Sequence, residues 1–297
     1  MVQNRMVFAI CATAALIGFQ PGLWSSTEKN LLITRNYFGV MRVTVKEDAH
    51  LLYHGTTVHG AQFYNESDNL SPVTYYSPKG PAADIFAATK TQAAQKVAVL
   101  GLGVGSVVCY PNAGRSFDFY EIDPDVIDIA ENGQLFSYLS KCGSPYKSIL
   151  GDARLKIGEA PDDSYDMIFA DAFSSDNIPV HIMTKDAFEL YLKKLAPGGI
   201  IVMNISNRYL DLKPVLTKIA EELGMTIYFK SHAPEITDDR KTRLYTPSVF
   251  AVMSEDPIKV ATFVEEYDWK PYAGDTTHVK AWTDDYANII GSLYSLK

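Results

Sequence analysis

The sequence predicts an α/β chain: a seven-stranded, mostly parallel sheet flanked by helices, behind a small N-terminal β-domain. Three observations predict it. Short apolar runs at 97–100, 117–122, 148–150, 165–170 and 199–205 are separated by turn and helix-like stretches, and that alternation means a parallel sheet with helices on both faces. The stretch 97–123, VAVLGLGVGSVVCYPNAGRSFDFYEID, joins a strand, a glycine turn, a helix-length spacer and a second strand ending on an acid. That combination is far more specific than a glycine motif alone. The last strands, 226–230 and 248–253, are joined by a polar loop rather than a helix, which gives the sheet an antiparallel edge.

Taken in order, residues 1–30 form an apolar leader, 31–90 a small β-domain with a connecting helix, and 91–297 the main domain. Residues 31–45, LLITRNYFGVMRVTV, are dense in β-branched and aromatic residues and read as strands broken at Gly39, with an acidic turn at 46–48 and a further strand at 51–53. The following HGTTVHGAQFYNESDNLSPVTYYSPKG is turn-rich and carries Gln62, Tyr75 and Tyr76. Such polar-aromatic loops serve either as binding loops or as hairpin packing. The alanine-rich 82–95 reads as a helix. Asp123-Pro124 opens another, Thr184 caps a third over 184–195, and 212–223 is a fourth, closed by Gly224. A last helix over 286–293 belongs to one of two readings of the acids Asp284 and Asp285. The whole is the pattern of a Rossmann-like, class I methyltransferase-type sheet.

With 47% hydrophobic and 21% charged residues over 297, the chain can bury a large core. A net charge of −8 and the lack of any basic run argue against a nucleic-acid surface. Cys11, Cys109 and Cys142 lack metal-ligand spacing, and Cys109 and Cys142 read as reduced residues of a cytoplasmic protein. Residues 6–19 are almost wholly apolar but fall short of the ~20 that span a bilayer comfortably. They fit a signal-peptide core in length, without a small-residue cleavage site after it, and are read as an anchor, or the remnant of one, that associates the chain with a membrane.

Glycines after a strand let the backbone turn tightly and approach a nucleoside, so Gly101, Gly103 and Gly105 are candidate binding residues. Glu121 lies about twenty positions further on, where an acid accepts from both ribose hydroxyls. The G-x-G-x-G spacing serves a pyrophosphate poorly, which favours an adenosyl sulfonium compound over a nicotinamide dinucleotide. Asp152, after the third strand, is placed to accept from an adenine amino group, and Asp171 ends the fourth. Each acid alone could simply cap the next helix. Three at successive strand ends point to a site. His54, His59 and His181 lack metal spacing, and no metal is assigned.

The stretch 171–212, DAFSSDNIPVHIMTKDAFELYLKKLAPGGIIVMNISNRYLDL, resembles the spermidine synthase (polyamine aminopropyltransferase) family, as do RNYFGVMRV, HGTTVHGAQ and the closing WTDDYANII. The match is closest to the branch often joined to membrane-transporter-like segments. The resemblance implies aminopropyl transfer from decarboxylated S-adenosylmethionine to a diamine such as putrescine, with no prosthetic group, in a homodimer. By position it assigns Glu121 to the ribose, Asp152 to the adenine and Asp171 to the attacking amine, with Gln62 contacting cosubstrate and Tyr75, Tyr76 and Asp176 contacting the diamine. Two departures stand out. The family's Gly-Gly-Gly-Asp-Gly loop is here Gly101-Leu102-Gly103-Val104-Gly105, and a second acid is replaced by Ser174, with Asp176 displaced by two.

The chemistry explains the carboxylates. A sulfonium carbon is already activated, so the protein must chiefly align an amine in line with it. Alkylamines are protonated at neutral pH, with a pKa of ~10, and a carboxylate can bind the cation, orient it and accept its proton. Asp171 is the expected catalytic group, with Asp284 and Asp285 of WTDDYAN as spare negative charge beside the amine or, equally, as caps of the last helix. Two other readings stay open. Methyl transfer from S-adenosylmethionine would use the same Glu121 and Asp152, and Val104 would spare the methionine carboxylate a repulsion. The other is a non-catalytic nucleoside-binding module.

Overall fold

The computed structural model describes residues 28–64, 70–90, 95–110, 114–172 and 179–294. The leader 6–19 and Asp176 lie outside these. At the N-terminus four strands run as an antiparallel meander: β1 (Lys29–Asn36), β2 (Gly39–Lys46), β3 (Ala49–His54) and β4 (Thr57–Phe63). The fourth strand falls in the stretch read as turns. Its His59-Gly60 pair interrupts the β-branched pattern, and Gly60 is needed because Val104 packs where a side chain would stand, its Cγ2 2.5 Å from that Cβ position.

The main sheet has seven strands: β5 (Gln95–Leu100), β6 (Arg115–Glu121), β7 (Tyr146–Leu150), β8 (Tyr165–Ala170), β9 (Leu195–Asn204), β10 (Thr226–His232) and β11 (Ser248–Ser254). Their spatial order is β10-β11-β9-β8-β5-β6-β7, all parallel except β11, which pairs antiparallel with both neighbours. The predicted sheet and its antiparallel edge are both present. The order reverses at β5, with β6 on one side and β8 on the other, and ligands of open α/β sheets bind outside the strand ends at such a point.

Helices cover both faces: α1 (Pro81–Ala88), α2 (Pro124–Glu131), the one-turn α3 (Tyr138–Lys141), α4 (Ala153–Gly158), α5 (Lys185–Lys194), α6 (Lys213–Glu222) and α7 (Pro257–Tyr267). Caps fix several starts: the Asp123, Asp152, Thr184 and Asp256 side chains accept from backbone N–H groups of α2, α4, α5 and α7. Between β5 and β6 the described chain makes only a 3₁₀ turn, Ser106–Cys109, where a helix-length spacer was expected. One apolar layer joins Met41 and Leu52 of the N-terminal sheet to Val97, Phe119 and Phe169 of the main sheet. Polar ties reinforce it: Asn36 donates to Asp123 at 2.6 Å and Asp125 at 2.9 Å, and Thr34 to Asp125 at 2.7 Å.

Three expectations are corrected. Cys109 and Cys142 are not reduced; they form a disulfide with Cα atoms 5.1 Å apart. Closing a loop with a sequence separation of 33 stabilises the fold by about 3–4 kcal/mol in the chain-entropy account. The helix at 286–293 is only a 3₁₀ turn, Ile290–Ser292. The helix expected over 82–95 ends at Ala88, with Gln95 already in β5. Among the described residues no helix is long and apolar enough to cross a membrane, and no cluster of His, Cys, Asp or Glu is arranged to hold a metal ion.

Candidate functional site

The carboxyl ends of β5, β6 and β8 are laced together by backbone hydrogen bonds that continue past the strands. Gly101 N–H donates to the Tyr120 carbonyl, Gly151 to Glu121 and Asp171 to Leu100, each at 2.8 Å. This lacing brings Glu121, Asp152 and Asp171, distant in sequence, onto one cavity of about 200 Å³ together with Gly101, Gly103 and Tyr75.

Gly101 has φ +99°, and a Cβ there would lie 2.6 Å from the Asp171 carbonyl oxygen. Only glycine serves at that point, where two strand ends meet. Gly105 points elsewhere: its missing side chain makes room for Leu139 of α3, so it shapes the turn without lining the cavity. Val104 is 3% exposed against Gly60 and does not face the cavity either.

Glu121 is 8% exposed, and its two oxygens accept from Leu102 N–H and Asp123 N–H, both at 2.9 Å. Each oxygen has a second lone pair, which suits a pair of ribose hydroxyls. Burial raises its pKa, against the lowering effect of the backbone donors. Glu121→Ala is expected to weaken binding of an adenosyl ligand by ~1.5–3 kcal/mol, read by calorimetry.

Asp152 caps the next helix and also lines the cavity. One oxygen caps α4 through Leu155 N–H at 3.0 Å; the other meets His181 Nε2 at 2.9 Å, with the carboxylate still on the cavity wall.

Asp171 is the most elaborately held group. Tyr76 hydroxyl donates to its Oδ2 and Asn204 Nδ2 to its Oδ1, the latter at 2.6 Å. Asn204 cannot turn over, because its own Oδ1 accepts from Ser206 N–H at 3.0 Å and Ser206 Oγ at 2.6 Å, and that hydroxyl accepts from Val249 N–H at 2.9 Å. Tyr75 lies against Tyr76, ring centroids 4.6 Å apart, with its hydroxyl toward the His59 carbonyl. Desolvation raises the Asp171 pKa to about 7, even though the hydrogen bonds from Tyr76, Asn204 and Tyr75 lower it.

Gln62 lies away from the cavity. Its amide exchanges hydrogen bonds with Ser137, at 2.9 and 2.7 Å, and ties β4 to the start of α3. Asp284 is also elsewhere. Arg154 grips it with both guanidinium nitrogens, at 2.6 and 2.7 Å, and Thr184 hydroxyl donates to it at 2.8 Å. With Asp285 it lines a hollow that Asp171 does not reach. The sequence reading weighs His181 only as a metal ligand and does not single out Asn204, although Asn204 carries the signal used for the acids, a polar residue at the end of an apolar strand.

No family model matches the sequence. A polyamine aminopropyltransferase from Vibrio vulnificus (strain CMCP6) is 33% identical over 117 residues, which is 37% of this chain and 37% of that relative. The chain therefore matches well under two thirds of the relative's length. A crystal structure of a probable spermidine synthase from Corynebacterium glutamicum ATCC 13032 is similar with a TM-score of 0.62 and 14% identity, over 89% of this chain and 99% of that one. A spermidine synthase crystallised with the transition-state analogue AdoDATO is similar with a TM-score of 0.54 and 12% identity, over 89% and 83%. The chain thus has the fold of these spermidine synthases: a methyltransferase-type, seven-stranded sheet behind a small antiparallel β-domain.

Proposed function

We propose that this chain is a transferase that moves the aminopropyl group of decarboxylated S-adenosylmethionine onto a primary amine held against Asp171, with a polyamine-type diamine such as putrescine as the reference acceptor. The observation that carries the reading is Asp171 itself, a clamped carboxylate with a pKa of about 7 on the wall of a nucleoside-sized cavity. Glu121 takes the ribose, Asp152 the adenine edge, and Gly101 and Gly103 let the backbone approach the nucleoside. Tyr75 walls the path of the amine, and Tyr76 and Asn204 keep the carboxylate pointing at it.

The amine arrives as an ammonium. Asp171 binds it, accepts a proton, and leaves a lone pair aligned with the sulfonium carbon. The C–N bond forms as the C–S bond breaks, the bonding pair stays on sulfur, and neutral methylthioadenosine departs. The name of the Vibrio relative supports this reading, as does the analogue bound by the spermidine synthase of like fold.

Asp171 must be ionised to take the proton. Activity should therefore rise with pH through about 7 and flatten above it. The check is the rate of methylthioadenosine release from pH 5 to 9; a rate independent of pH below 7 would remove Asp171 from the proton transfer.

Methyl transfer is the second reading: where the family pattern has an acid the glycine turn carries Val104, which packs on Gly60 away from the cavity, so that position sets no negative charge against a methionine carboxylate. Calorimetry with S-adenosylmethionine, its decarboxylated form and methylthioadenosine separates the two, since preference for the intact form selects the methyltransferase. The transporter-fused branch, a membrane tether at 6–19 and pairing of two chains are proposals drawn from the resemblance, open to vesicle flotation and sedimentation.

A further inference from the structure

A second chamber of about 490 Å³ adjoins the cosubstrate cavity and shares its His59 and Tyr75 walls. Asn204 opens onto it and holds Asp171 from that side, so an acceptor in this chamber would present its amine to the carboxylate. Its described lining offers a cation rather than an anion. None of the described residues lining it is a carboxylate. It carries Arg208, an exposed guanidinium with no ion pair among the described residues. It also carries Ser248, 2% exposed, whose Oγ has no hydrogen-bond partner among the described residues. A buried hydroxyl without a partner is costly unless a ligand supplies one.

We propose that the acceptor is a primary amine whose far end is an anion, of the amino-acid class, selected by Arg208 and Ser248. This rests on the aminopropyl-transfer reading and replaces the diamine that the resemblance implies. A second ammonium would face a guanidinium and, among the described residues, no carboxylate of the chamber lining. A carboxylate would meet the planar fork that fits it and a hydroxyl free to donate. The transfer balances as before: the amine loses a proton to Asp171, C–N forms, C–S breaks with its electrons to sulfur, and the acceptor's carboxylate is unchanged.

The test compares 5-aminopentanoate, 1,4-diaminobutane and pentylamine, which share the reacting amine and differ at the far end. With decarboxylated S-adenosylmethionine, kcat/KM for the carboxylate amine is expected to exceed that for the diamine by about tenfold, and Arg208→Glu to invert the order. Calorimetry of the same amines on protein saturated with methylthioadenosine reads the chamber without turnover and decides the proposal. Tighter binding of the carboxylate amine, reversed in Arg208→Glu, supports it. Equal or tighter binding of the diamine by the wild-type chain overturns it. Failure of every amine to yield methylthioadenosine would sink the transfer reading alone, because the binding comparison still reports on the chamber.

Discussion

Asp171→Asn is expected to lower turnover by ~10²–10⁴-fold while leaving the affinity for methylthioadenosine unchanged. The amide keeps the shape of the side chain, and its oxygen can still accept from Asn204, but it cannot take the proton. The same substitution should make the protein more stable above neutral pH. The folded pKa, about 7, lies above the ordinary carboxylate value of 3.8. The folded state therefore holds the proton to higher pH than the unfolded chain does. Ionisation between about pH 4 and 7 costs stability, and the cost is fully present above pH 7. Asp171 is half-buried, so the gain is one to a few kcal/mol, visible in urea denaturation at pH 8. A merely structural aspartate would give the opposite pair of results: kept activity and lost stability.

Gly101→Val is expected to weaken binding of adenosyl compounds by ~10²-fold or more. Two costs coincide there. A β-branched residue is strained at φ +99°, and its Cβ would lie 2.6 Å from backbone that cannot withdraw, because Asp171 N–H is tied to Leu100. The strands would part at the switch point, at the cavity proposed for the nucleoside. Gly224→Ala is the control, at φ +69° with nothing within 4 Å of the added Cβ; it carries strain alone and should leave binding intact. Calorimetry with methylthioadenosine, with circular dichroism to confirm folding, reads both variants.

The seven strands of the main sheet were legible because each is a run of apolar residues too short for a helix, bounded by turn residues. Their carboxyl ends carried the site, since an acid at the end of a buried strand has nowhere to go but the sheet edge. What escaped were contacts that sequence spacing does not encode. Asp284 has the residue type of a cap, but Arg154, far away in sequence, claims its carboxylate and the expected helix does not form. The Cys109–Cys142 pair depends on the 3₁₀ turn after the glycine loop coming to lie beside α3. Gln62 has the polarity of a ligand residue and spends it on Ser137.

The identity of the nucleoside product tests the central claim most directly. The protein is incubated with an equimolar mixture of S-adenosylmethionine and its decarboxylated form, together with the amines compared above, and the products are separated by mass spectrometry. Aminopropyl transfer predicts methylthioadenosine and an acceptor heavier by one aminopropyl group, both lost in Asp171→Asn. S-adenosylhomocysteine with a methylated acceptor would contradict it and assign the site to methyl transfer.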